Sequence, residues 1–507
     1  MKGLPKMQQL TLFPITETAQ EKNLSRDSFS HNNICDETAR IALEENYGHL
    51  LEETDEFNRQ LVSFQANKTE ILHSWIKYRE GFSANLVDLL IRKFELEPGD
   101  IILDPFAGSC TTLLVAEMRS INAVGIELLP HCHLAWNAKS RAFGYDVNEL
   151  NHIREVVIGT TPVATTKPFN HLTITETAFP QQAEDDLMRY TEWFESLDIS
   201  KSTKTLCQFI LTSILEEISY TRKDGQYLRW DSRAEKIQEH NRNRVAKGKK
   251  PIKGIDKGDL PGVKETFLKR LGKIISDVTE LQKDRPLPSY QRLIEGNTLF
   301  ELPLMAENQF SGVITSPPYA NRYDYTRTYA LELAYLGVNE DIFNLRQSQL
   351  SCTVENKPKL NDLEKHYEKT GQSDRFKLIL NTVQSNKTLS EINAALEKRL
   401  KLGEINNKGV LPMINQYFTE LTFVFSELYR VCKSGALVAF VNDNVRYAGE
   451  IIPVDLLSTN LAEQVGFQPV NVFVLPQRKG NSSQQMGRYG RVALRKSITV
   501  WQLDRSG

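Results

Sequence analysis

An α/β fold with a mostly parallel sheet, interrupted by two mostly helical insertions, is what this chain predicts. Two apolar runs, residues 101–103 and 312–314, each end in a turn-forming string, as buried parallel strands do. Between residues 85 and 128, and again after 290, helix-period and strand-period patterns alternate, which is the grammar of βαβ units. Two long stretches, about 150–285 and 340–410, break that alternation with mostly helical patterning. At 507 residues and 57.9 kDa, two to three domains are expected.

Residues 1–60 read as a polar arm with one helix near 36–51 and no strand pattern. Residues 61–149 form the first half of a catalytic domain. Leu86, Leu89, Leu90 and Phe94 make a helical stripe, and Pro98-Gly99-Asp100 turns into the strand at 101–103. The string Asp104-Pro105-Phe106-Ala107-Gly108-Ser109-Cys110-Thr111-Thr112 follows, then a helix over 111–118 and a strand over 122–128. Residues 150–288 form a basic insertion. The sheet resumes in 289–339, with a strand ending near Asn297 and another running into Thr315-Ser316-Pro317-Pro318-Tyr319. Residues 340–412 form the second insertion. Residues 413–507 complete the sheet with a helix over 416–431 and strands over 436–442, 468–475 and 497–503.

The bulk composition excludes some classes. No run of about 18 apolar residues exists, so no membrane span is expected. The start, Met1-Lys2-Gly3-Leu4-Pro5, has no signal-peptide pattern. Six scattered cysteines without a CxxC pair fit reduced thiols, hence a cytoplasmic protein. His131-Cys132-His133 lacks a second ligand cluster, so no metal site is expected. Net charge is only −2, but residues 222–273 hold 16 Lys/Arg against 7 Asp/Glu, and residues 476–496 hold six basic residues and no acid. Such focused positive charge suits phosphate contacts.

Together the strings at 104–112 and 315–319 resemble those of the DNA amino-methyltransferases, which move a methyl group from S-adenosylmethionine to an exocyclic base nitrogen. The resemblance covers 70–140, 290–335 and 415–503. It implies a Rossmann-like methyltransferase fold with a seven-stranded, mostly parallel sheet. It also implies that Asp104, Phe106, Gly108, Ser109, Thr111 and Thr112 surround the cofactor, with Cys110 standing where the family carries glycine. Upstream, the segment from Trp75 to Ser83 resembles one that closes over the cofactor's methionine end, making Phe82 and Ser83 candidates. Glu127 ends the next strand, where a carboxylate can accept from a ribose diol. Asn297 occupies the family's position near the adenine.

An exocyclic amino group is a poor nucleophile because its lone pair is delocalised into the ring. Two acceptors for its hydrogens favour a pyramidal nitrogen, and the Ser316 hydroxyl and Pro317 carbonyl are expected to supply them. Consecutive Pro317 and Pro318 fix the turn, and Tyr319 offers a face for a base flipped out of the duplex. A hydroxyl at position 316 suits either base. Family members with Ser there mostly resemble N4-cytosine enzymes, so cytosine N4 is expected, with adenine N6 the alternative. In those enzymes the tetrapeptide mostly precedes the cofactor loop, whereas here it follows. Ring-carbon methylation is disfavoured, because no Pro-Cys dipeptide exists. A DNA-binding protein that kept the fold and lost transfer, and an RNA or protein methyltransferase, are readings of other classes.

Candidate contacts to double-stranded DNA are Arg322, Tyr323 and Arg327 after the catalytic turn, Lys249 and Lys250 in the first insertion, and Arg478, Lys479, Arg488 and Arg491 in the C-terminal loop. A cognate restriction endonuclease is a further expected partner. Gln9-Leu10-Thr11-Leu12-Phe13 resembles peptides that dock on the replication sliding clamp.

Overall fold

The computed structural model describes residues 26, 28–58, 60–165, 167–224, 227–476, 489–490 and 492–505. Eight strands form its main sheet: β1 (Leu51–Glu53), β2 (Ile101–Asp104), β3 (Asn122–Glu127), β4 (Gln291–Glu295), β5 (Phe310–Thr315), β6 (Cys432–Asp443), β7 (Gln468–Val474) and β8 (Lys496–Gln502). Their spatial order is β1-β7-β8-β6-β5-β2-β3-β4. Every pairing is parallel except those of β8, which runs antiparallel to β6 and to β7. The sheet is mostly parallel, as expected, but has eight strands and not seven. The addition is β1, from the arm in which no strand was expected. At three residues, two of them Glu, it has no apolar alternation to read, and pairing with β7 alone defines it.

Successive residues of each central strand point to opposite faces. Ile102, Ala123, Ile314 and Ala439 join one core, while Leu103, Val124, Val313 and Phe440 join the other. The strands are therefore apolar on both sides, which is why they read as continuous runs. Helices Ala84–Lys93, Thr111–Met118 and Pro130–Lys139 cover the first face. Helices Val410–Val431 and Val454–Val465 cover the second.

The two insertions lie on opposite faces. Helices Val147–Gly159, Gln181–Ser196, Lys201–Ile218 and Val263–Leu281 share the first core, while Leu360–Lys369, Ser373–Ser385 and Lys387–Lys401 share the second. The first insertion also contains an antiparallel hairpin, Thr221–Asp224 with Tyr227–Trp230. Helix Thr38–Tyr47 of the arm buries Leu43 and Tyr47 in the second core. Its Arg40 is fully buried and pairs with Glu391 at 2.8 Å and Glu450 at 3.0 Å. Among the described residues, no helix is long and apolar enough to cross a membrane.

Candidate active site

Strands β2 and β5 are neighbours, and they bring the two motif turns together at their carboxyl ends. Asp104, at the end of β2, is buried and joins them. One carboxylate oxygen accepts from Thr112 Oγ1 at 2.7 Å. The other accepts from Thr315 Oγ1 at 2.7 Å and from the Phe106 N–H at 3.1 Å. Burial raises the Asp104 pKa to about 6, although all three donors favour the charged form. Asp104 and Thr112 were expected around the cofactor. They are not among the cleft's lining residues, and Asp104 joins the two motif turns through Thr112 and Thr315.

The loop between β2 and its helix reverses through two left-handed residues, Gly108 (φ 51°) and Cys110 (φ 64°). A Cβ on Gly108 would come within 2.9 Å of Tyr78 Cε1, so that position needs glycine twice over. Cys110 takes the turn that glycine takes in the family, at a conformational cost of about 1–2 kcal/mol. Its N–H bonds Ala107 O at 2.7 Å, and its thiol is fully buried. Beneath the loop, the buried Lys139 ammonium reaches Ser109 O at 3.3 Å.

This loop forms one wall of an open cleft at the carboxyl ends of the central strands. Phe82, Phe106, Gly108, Ser109, Thr111, Glu127 and Asn297 all line it. Ser83 does not. Its hydroxyl accepts from Leu86 N at 3.1 Å and caps helix Ala84–Lys93, so the segment's alternation turns it away from the cleft. Glu127 is held by three backbone donors: Gly108 N at 2.7 Å, and Leu128 N and Leu129 N both at 2.8 Å. A carboxylate has about four acceptor positions. Glu127 thus retains room for one hydroxyl, and not for both of a diol. Asn297 caps a short helix through Leu299 N at 3.0 Å and donates to Ser348 O at 2.7 Å.

Glu80 and Gln349 are among the lining residues that were not foreseen. Glu80 lies inside the segment that singled out Phe82, and it accepts from the hydroxyls of Tyr323 and Tyr329. Burial raises its pKa. Gln349, which follows helix Ile342–Ser348 within the second insertion, is buried, and neither its amide nitrogen nor its oxygen meets a partner. No sequence pattern marks either residue.

At the other end of the cleft, Ser316 and Pro318 line the wall while Pro317 and Tyr319 stand behind it. Ser316 Oγ lies 3.1 Å from Tyr319 OH and 3.2 Å from Val441 O. Ser316 Oγ is the donor to both, so its single proton is shared between Tyr319 OH and Val441 O. Lys496 also donates to Tyr319, lies 5.2 Å from that ring's centroid and pairs with Asp443 at 3.2 Å. Burial alone would lower the Lys496 pKa, but Asp443 and Tyr319 more than offset it, so the ammonium stays charged. Neither contact uses a Ser316 lone pair. Tyr319, expected as a stacking face, has its hydroxyl held by Ser316 and Lys496 and stands outside the lining.

The proposed DNA contacts divide. Arg322 is exposed, as are Lys249 and Lys250 after helix Glu235–Ala246. Tyr323 is buried with its hydroxyl on Glu80, which removes it from any DNA-facing surface. Arg327 is paired with Asp324 and Glu355, each at 3.3 Å. Arg478, Lys479, Arg488, Arg491 and the stretch 9–13 lie outside the described residues. In the His131-Cys132-His133 string, the His131 ring stacks on Tyr329 at 4.3 Å and the His133 ring bonds Glu127 O at 2.7 Å.

The profile of the N6/N4 family, described as DNA methylase, matches residues 20–137. The chain is 56% identical over 477 residues to the type II methyltransferase M.BsoBI of Geobacillus stearothermophilus, covering 94% of each chain. It is 39% identical over 483 residues to the type II methyltransferase M.AvaI of Anabaena variabilis, covering 91% of this chain and 92% of that one. A more distant relative, the type II methyltransferase M.MjaII of Methanocaldococcus jannaschii, is 22% identical over 345 residues. The cleft's apolar walls, its remaining carboxylate position at Glu127 and its orphaned Gln349 amide fit an adenosine-bearing ligand. The chain belongs to the type II DNA methyltransferases of the N6/N4 family, modification enzymes of restriction systems that take their methyl group from S-adenosylmethionine.

Proposed function

We propose that this enzyme methylates the exocyclic N4 of cytosine in duplex DNA, after everting the base into the cleft beside Ser316. The single observation behind this reading is that Ser316 spends its proton within the protein. It donates to Tyr319 OH and Val441 O and lines the cleft, so it meets a substrate as an acceptor. Ser316 Oγ and the Pro317 carbonyl take the two amino hydrogens, which draws the nitrogen's lone pair out of conjugation. When bound, S-adenosylmethionine supplies an electrophilic methyl carbon. Phe106, Gly108, Ser109, Thr111 and Glu127 hold the cofactor, and Glu80 with Phe82 closes its methionine end. Orientation and fixed dipoles provide most of the acceleration, with no covalent enzyme intermediate.

In the same reading the enzyme works in the cytoplasm beside an endonuclease that cuts its site, and Arg322, Lys249 and Lys250 contact phosphates. Residues 9–13 dock on the sliding clamp, which a clamp pull-down with Leu12→Ala and Phe13→Ala tests. The base is decided by digesting DNA methylated by the purified enzyme to nucleosides and identifying them by mass. N4-methylcytosine is expected. N6-methyladenine would overturn the cytosine assignment, and no product with intact cofactor binding would leave a DNA-binding protein without transfer.

A further inference from the structure

Gln349 is 7% exposed, and among the described residues lining the cleft it alone has a side-chain donor and acceptor that are both buried and unpartnered. Buried amides without partners are costly, and a folded chain keeps them where a ligand completes them. Its place in the cleft is fixed by its neighbour. Ser348 O accepts from Asn297, which follows β4. Ser316 follows β5, and strands β2 and β3 lie between the two. Three strand spacings, about 14 Å, therefore separate the Gln349 end from the methyl-transfer end.

Glu127 ends β3, next to β4, with one acceptor position left for a ribose hydroxyl. Phe106, Ile126 and Leu350 line the same cleft as Gln349, so a base lodged among them would present its edge to the carboxamide. Adenine has an amino donor beside a ring-nitrogen acceptor, on either its N1 or its N7 side. A carboxamide matches that pair with two hydrogen bonds. The loop is also rigid. Ser351 bonds Glu420 through its backbone N–H at 2.8 Å, and Lys359 bonds Ser351 Oγ at 2.9 Å.

We propose that Gln349 reads the adenine edge of the cofactor, so that a loop of the second insertion belongs to the cofactor site. A carboxamide can turn over and exchange its donor with its acceptor. On the N1 side Gln349 therefore also accommodates a 6-oxo purine, and on either side it penalises a purine with no substituent at position 6.

The test is calorimetric titration of the full-length protein, without DNA, using S-adenosylhomocysteine and its analogue with an unsubstituted purine ring. Binding of S-adenosylhomocysteine by the wild type checks the cofactor itself. Wild type is expected to prefer the amino-bearing ligand by about tenfold to a hundredfold. In Gln349→Leu that ratio collapses to within about twofold, whatever happens to the absolute affinities. A purely structural role would weaken both ligands alike and preserve the ratio. A wild-type ratio in Gln349→Leu, or no preference in the wild type, overturns the proposal. Gln349→Met gives the same two outcomes if the Leu variant does not fold.

Discussion

Replacing Ser316 by Ala removes an acceptor at the point where positive charge develops on the attacking nitrogen. The hydroxyl has one proton, shared between Val441 O at 3.2 Å and Tyr319 OH at 3.1 Å. Its lone pairs are the part of the group available to substrate. A preorganised polar contact of this kind is worth about 3–4 kcal/mol in the transition state, or about 10²–10³ in rate. Tyr319→Phe leaves Ser316 in place and removes only the hydroxyl that orients it. One neutral hydrogen bond of about 1 kcal/mol, roughly fivefold in rate, is then at stake. Lys496→Met acts one step further back and is expected to match Tyr319→Phe in rate. Single-turnover transfer of tritiated methyl to duplex DNA, at saturating cofactor, measures each step. S-adenosylhomocysteine affinity should stay at the wild-type value in all three variants. Wild-type rate in Ser316→Ala refutes the assignment, and a Tyr319→Phe enzyme as slow as Ser316→Ala refutes a merely orienting role for Tyr319.

Cys110→Gly and Cys110→Ala both delete the buried thiol, but only Gly relieves the left-handed backbone, so the Gly variant should be more stable by about 1 kcal/mol. Equal apparent Tm values for the two would show that the turn is not strained. Asp104 has a folded pKa of about 6 against an ordinary 3.8, so the native state holds its proton more tightly than the unfolded chain does. The stability tied to this group is fully present below pH 4 and is lost as pH rises through 6, an effect of at most about 3 kcal/mol. Relative to Asp104→Asn, wild type should therefore lose apparent Tm between pH 4 and 7, and a constant difference would refute the shift. Replacing Lys249 and Lys250 together by Ala should lower the slope of log affinity against log salt by about 2 if both touch phosphates. An unchanged slope removes them from the interface.

The strands that carry the motifs were legible because a parallel strand buried on both faces must be a short apolar run, and residues 101–103 and 312–314 are such runs. Helix Thr111–Met118 was legible to the residue because the glycine turn fixes its start. Strand β1 was not legible, since its place is set by a partner more than 400 residues away. Separation in the chain also hides Lys496, which reaches Tyr319 and pairs with Asp443 only once β6 and β8 have paired. Asp104 and Thr112 were found but misplaced. A motif shows which residues matter, and only the packing shows whether they touch a ligand or hold the residues that do. Ser83 and Tyr323 failed for a related reason, because a polar side chain near a motif can be consumed by a helix end or a buried carboxylate.

The helices of the first insertion share a core with the helices that cover the sheet, and this limits how the insertion can be exchanged to probe target preference. Cutting out residues 147–281 would bare the apolar side of helix Pro130–Lys139, against which helix Lys201–Ile218 packs. Exchange of the hairpin at 221–230, or of the exposed turn after residue 246, leaves that side covered. Altered modification patterns should be sought in libraries confined to those two short stretches.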